Sequence, residues 1–299
     1  MAHRLLVMFT ATADPPREIA MTAPALTLYT FAASQSSEKI RWTLDAAGLP
    51  YRECRLTPFF HHAEPLHLSG SLGVSIPTLE ADGEFVEDST AILEWLAQRC
   101  APFALMPQDA ERRRQVMRYE ARMDHIGPHV VRYMYAQLLE DPDLVRRLWT
   151  LDAGRLHAAL VRMTFPALRR MFHRGLGVAP ALVEHSRKIV ERALHELDQL
   201  VWSGRVYLVG EQLTVADITA AARLAPLVCP DEHPVFCDAE YRDAMAPLLS
   251  AWEARPAVAW VREIYRLHRR VRPVHVLREA PSAVEAFRLS RAFRTGTQL

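Results

Sequence analysis

Three hydroxyls and an amide stand in one run, Ser34-Gln35-Ser36-Ser37, between the apolar stretch LYTF and the helix-spaced stretch EKIRWTL. A helix opens with backbone N–H groups that have no partner inside the helix, and serine oxygens commonly satisfy them. Ser36 or Ser37 suffices for that, which leaves Ser34 to donate a hydrogen bond to an anion held at the positive helix end. All three hydroxyls serving as caps or loop solvation is the alternative. Two further stretches carry chemistry. At Ile76-Pro77 a cis bond would turn the Ile76 N–H and C=O outward to pair with a peptide, whereas a trans proline would mark a sheet edge. In Glu87-Asp88-Ser89-Thr90, either Asp88 or Ser89 caps the helix that follows, or the two hold a ligand. Asp88 would then take an ammonium group, and the Ser89 N–H and hydroxyl a carboxylate.

The elements that must position these groups follow from spacing. Leu26–Phe31 alternates in strand fashion, and Ser37–Ala47 places Ile40, Leu44 and Ala47 on one helical face before Gly48 stops it. Pro50–Leu56 suits a second strand, Ile76–Leu79 opens a third, and Gly83 turns it into a fourth at Glu84–Val86. Thr90–Arg99 is helical. Strands and helices alternating over so short a stretch predict a compact α/β domain over residues 25–101. From Asp109 the pattern is helical throughout: Ala110–Leu139, Leu144–Phe172 interrupted at Pro166, Ala181–Trp202, Val215–Leu227, Arg242–Arg255 and Ala257–Arg270. An all-helical domain is expected over 109–271. A basic extension over 272–299 carries one short helix at 282–293, and a disordered leader covers 1–24, with Met21 as a second candidate start.

The 299 residues carry 36 Lys plus Arg against 35 Asp plus Glu, a net charge of +1, which gives no reason to expect nucleic acid or an anionic membrane as partner. The four cysteines are widely spread, which suits free thiols in a reducing, cytoplasmic compartment. No metal is expected: His61-His62 lacks a carboxylate or cysteine at ligand spacing. Arg112–Arg114 reads as a solvated helix face.

The segments LYTFAASQSSEKIRWTLDAAGLPY and SIPTLEADGEFVEDSTAILEWL, followed by a helical half containing YLVGEQLTVADITAAA, resemble the glutathione transferase family. Members with serine at the active centre are the nearest in pattern. The resemblance implies a thioredoxin-like α/β domain followed by an all-helical bundle, glutathione as co-substrate, and a homodimer engaged in detoxification. It makes Ser34 the residue that activates the glutathione thiol, with Ser36 or Ser37 as substitutes and Tyr29 as a further candidate. It makes Ser34, Ile76, Pro77, Asp88 and Ser89 the glutathione contacts. Thr214 and Asp217 match the family's buried capping box, a structural pair.

A free thiol has a pKa near ~8.5. Lowering it by about two units requires about 2.7 kcal/mol of preferential stabilisation, within reach of one charge-assisted hydrogen bond and a helix end. Because no cysteine lies in the segment, glutathione itself would be the nucleophile, attacking an apolar electrophile. Phe59, His125, His129 and Tyr133 are candidates for the second-substrate pocket; on the long helix, Met123, Ile126, Val130 and Met134 read equally as plain core. A glutathione-dependent lyase, isomerase, dehalogenase or ether-cleaving enzyme uses the same scaffold, as does a non-catalytic binding protein.

Overall fold

The computed structural model describes residues 25–58, 76–100, 102–270 and 275–277. The expected leader over 1–24, Phe59, the His61-His62 pair and the helix expected over 282–293 lie outside the described residues.

The α/β half follows the expected order, with β1 (Leu26–Thr30), α1 (Gln35–Ala47), β2 (Tyr51–Arg55), β3 (Thr78–Ala81), β4 (Glu84–Glu87) and α2 (Ser89–Arg99). β1 lies parallel to β2, with Leu28 opposite Glu53, and antiparallel to β3, with Leu28 opposite Leu79. Asp82 and Gly83 turn β3 into β4 with φ of 50° and 86°, the left-handed geometry that a two-residue hairpin needs. Gly48 closes α1 at φ 71°, its N–H bonded to Asp45 O. From the sequence, everything beyond residue 271 is expected to be an extension. The structure brings part of it back as β5 (His275–Leu277), parallel to β2, and the sheet order is β4-β3-β1-β2-β5.

The helical half holds α3 (Ala110–Leu138), α4 (Pro142–Trp149), α5 (Arg155–Leu176), α6 (Pro180–Trp202), α7 (Val215–Val228), α8 (Ala239–Leu249) and α9 (Pro256–His268). The helix expected over Leu144–Phe172 is two helices, α4 and α5, and Pro166 sits inside the second. The break falls earlier because the Thr150 hydroxyl bonds Arg146 O at 2.7 Å and closes α4, while Gly154 opens α5. Asp198 of α6 accepts from Ala257 N at 2.8 Å and from Arg255, so the last helix begins against the sixth.

All 14 residues of α7 are buried. Its alanines let α1 on one side and α3 on the other pack closely against it. At its start Asp217 accepts from Thr214 N at 2.8 Å and Leu208 N at 2.7 Å, and the capping box read from the sequence is formed. α1 is thus covered on both long sides, and its charged residues are buried too. Glu38 and Asp45 pair with Arg269 at the end of α9, while Arg41 bonds Glu53 of β2 and the Phe31 carbonyl. Trp42 packs against Tyr265 with ring centroids 4.4 Å apart and planes tilted by 50°. The two halves share one continuous core.

Candidate active site

Ser34 is the N-cap of α1. Its Oγ accepts the Ser37 N–H at 3.1 Å, the capping role that the sequence offered to Ser36 or Ser37. Among the described residues no acceptor takes the Ser34 hydroxyl proton. Ser37 is fully buried, and its Oγ accepts from Phe31 N at 3.3 Å, which holds the loop after β1 against the helix. Ser36 accepts from Arg223 Nη1 at 2.5 Å. The buried Gln35 donates to Gly127 O of α3 at 2.8 Å. The three serines therefore differ in kind: Ser34 and Ser36 line a cleft, and Ser37 is structural.

That cleft has a volume of about 640 Å³ and lies between the two halves. Its polar end holds Ser34, Gln35, Ser36, Asp124, His125 and Arg223. Its other wall is apolar, built from Val131, Met134 and Tyr135 of α3, Leu148 and Trp149 of α4, and Phe172 and Leu176 of α5. At the rim Arg55 of β2 pairs with Asp152 at 3.3 Å. A larger recess of about 1090 Å³ lies between the start of α3 and residues 205–214, lined mostly by polar and charged side chains. It contains none of the serines of the α1 loop, so volume alone is a poor guide to the chemistry here.

The other expected site residues fall in three places. Ile76-Pro77 is cis, and Pro77 is buried where β3 begins. Asp88 is exposed and caps α2, its Oδ1 accepting from Thr90 N at 2.8 Å and Ala91 N at 3.1 Å. Ser89 is buried, and its Oγ accepts from Lys39 Nζ at 3.0 Å, so its hydroxyl is turned into the protein and not outward to a carboxylate. None of Ile76, Pro77, Asp88 and Ser89 lines the cleft that holds Ser34. Of the second-substrate candidates, His125 lines it; His129, one turn further on with its ring 5.7 Å from that of His125, and Tyr133 are not part of its lining. His129 Nδ1 lies 3.1 Å from Ser186 Oγ, and burial, with Arg132 beside it, holds its pKa below the usual histidine range. Tyr133 packs on Trp252 at 5.3 Å. Met134, expected as core or pocket, is both. Tyr29 donates to Glu80 at 2.9 Å and sits among Cys54 and Leu56; burial, then Glu80, push its phenol far up, and it is not part of the cleft lining.

Sequence reasoning missed the charges beneath the serines. Lys39 of α1 is fully buried and bonds Glu120 and Asp124 of α3 as well as Ser89. Asp124 also pairs with Arg223 of α7. Burial opposes ionisation of Asp124, yet Lys39 and Arg223 hold its carboxyl below the usual range. Two cations face two carboxylates, so the cluster is neutral as a whole and tolerable in a buried setting. Gly127 makes room for it: a Cβ there would meet Arg223 Nη1 at 3.0 Å.

Residues 28–102 match the family model described as the glutathione S-transferase N-terminal domain. This domain belongs to the glutathione S-transferase family. A maleylpyruvate isomerase from Ralstonia sp. is 31% identical over 97 residues, which cover 30% of this chain and 42% of that protein; the match spans less than half of that relative. The crystal structure of the β-etherase LigF from Sphingobium sp. strain SYK-6 superposes with a TM-score of 0.53 at 21% identity, over 80% of this chain and 99% of that one. The likeness therefore runs through both halves. The fold is that of a glutathione S-transferase, a thioredoxin-like α/β domain followed by an all-helical one.

Proposed function

We propose that the chain is a glutathione-dependent enzyme that activates the glutathione thiol with Ser34 and conjugates it to an apolar electrophile. One observation carries this reading: the Ser34 hydroxyl stands at the start of a buried helix, with its proton uncommitted, at the polar end of a cleft whose far wall is apolar. A thiolate placed there would receive the Ser34 proton as a hydrogen bond and sit in the positive field of α1. Its sulfur then attacks the electrophilic carbon, forming a C–S bond while the leaving group departs with the bonding electron pair. In the proposed pose the peptide backbone pairs with Ile76 ahead of Pro77, and Asp88 receives the ammonium group. Ser89 contributes its backbone and not its hydroxyl, which Lys39 occupies.

The apolar wall of Val131, Met134, Trp149 and Phe172 suits a hydrophobic second substrate, with His125 at its polar margin. Isomerisation and ether cleavage, the activities in the names of the two relatives, start from the same activated thiol and are the alternatives on this scaffold. A cytoplasmic homodimer belongs to the same proposal; among the described residues no helix is long and apolar enough to cross a membrane. The test is turnover of a panel of aryl halides, epoxides, β-aryl ethers and cis-enoyl acids with and without glutathione. Glutathione-dependent turnover of any of them supports the reading, and binding without turnover of the panel favours a carrier.

A further inference from the structure

The α1 loop presents two hydroxyls to the cleft, and the second is held by a charge. Arg223 reaches across from α7 and donates Nη1 to Ser36 Oγ at 2.5 Å, while its Nη2 is held by Asp124. A hydroxyl that accepts from a guanidinium has its own O–H bond polarised and its proton turned away from the donor. Among the described residues nothing accepts that proton, and Ser36 lines the same cleft as Ser34. Arg223 is 5% exposed and the direction of its guanidinium is over-determined. Asp124 is itself held by Lys39, the missing Cβ of Gly127 leaves the channel open, and Gln35, between the two serines, is bonded to the Gly127 carbonyl. Both neighbours of Gln35 are thus fixed relative to the helical half, Ser36 directly and Ser34 through α1.

We propose that Ser36, polarised by the Arg223 guanidinium, is a second hydrogen-bond donor to the bound glutathione thiolate. Ser36 touches the sulfur; Arg223 is a positioning residue that acts through it. The thiol proton leaves to bulk water, and the two hydroxyls share the resulting charge. The proposal rests on the glutathione reading given above and assigns a residue within it.

The experiment is a pH titration of the thiolate ultraviolet absorbance of enzyme-bound glutathione, run beside steady-state kinetics, on the wild type, Ser36→Ala, Arg223→Met, Arg223→Lys and the double variant Ser36→Ala/Arg223→Met. Loss of one charge-assisted donor is expected to lower kcat about tenfold to a hundredfold and raise the thiol pKa by about one unit or more, with KM for glutathione within about threefold. Arg223→Lys recovers part of the loss because it keeps a donor. The double variant falls no further than the worse single one, because the two residues act as one unit. Ser36→Ala removes one oxygen and leaves every buried charge paired, so it remains informative if Arg223→Met folds poorly. A bound thiolate whose pKa and kcat are the same in Ser36→Ala as in the wild type overturns the second donor alone. No bound thiolate in the wild type overturns the glutathione reading and this proposal with it.

Discussion

Ser34 caps a helix with an oxygen that also lines the cleft. Its lone pair takes the Ser37 N–H, and among the described residues nothing accepts its proton, the one proposed to reach the thiolate. The two roles separate by substitution. Ser34→Ala loses both and is expected to cost about 1 kcal/mol of stability and about 10²-fold in kcat. Ser34→Asp keeps an excellent cap, so its melting temperature should stay near the wild-type value. Its carboxylate would repel a thiolate, and turnover should drop further than in Ser34→Ala. Thermal melts beside kinetics on the two variants check this; an active Ser34→Asp enzyme would remove Ser34 from the chemistry. At this scale the sequence showed the serine cluster but not which oxygen does what, because capping and donating use the same residue type. Arg223 was invisible for a different reason. It sits in the run TAAARLAP, where a lone arginine reads as an interruption of a buried helix, and its partner Ser36 lies 187 residues away in the chain.

α1 illustrates how far an apolar pattern can be read. The spacing of Ile40, Leu44 and Ala47 located the helix, but it implied one buried side, and Glu38, Lys39, Arg41 and Asp45 are buried as well. They are buried because α7 and α9 cover what a helix on an isolated sheet would expose to water. Burial alone would raise the Glu38 pKa, but Arg269, with His233 and Arg41 beside it, brings it down to about 2 from 4.5. A folded-state pKa below the unfolded one means that the ionised form favours folding. That stability is present in full above about pH 4.5 and is lost as pH falls toward 2. Glu38→Gln should therefore be less stable than wild type at neutral pH, by about 3–5 kcal/mol for a broken buried ion pair. The gap should narrow in acid, which urea midpoints across pH 7 to 3 would measure; a gap independent of pH would show that the Arg269 pair contributes nothing. Gly127→Ala tests the neighbouring close contact. The added methyl group meets Arg223, so kcat should fall several-fold even where the melting temperature changes by only a few degrees.

Across the whole molecule, the division into an α/β half and a helical half followed from the change of pattern near residue 105, and the helices α3, α6 and α7 fell within one or two residues of expectation. A cleft between the halves was expected, but its lining was legible only in part. His125, His129 and Tyr133 were grouped by helical spacing, yet α3 is packed on two sides, and its rotation places only the first of them in the cleft. β5 also escaped notice, since three residues, His275–Leu277, leave no periodic signal. It covers the outer edge of β2. Truncation after Arg270 would bare that edge, and bare edges recruit other strands. Light scattering should report increased self-association of the truncated chain, while turnover persists because the cleft is left in place. The central claim is that Ser34 makes the bound thiol easier to ionise, and titrating the thiolate absorbance of bound glutathione in the wild type and in Ser34→Ala tests it most directly. The expected result is a wild-type pKa about two units below the free value of ~8.5, returning most of the way in the variant. Equal pKa values in the two proteins would contradict it.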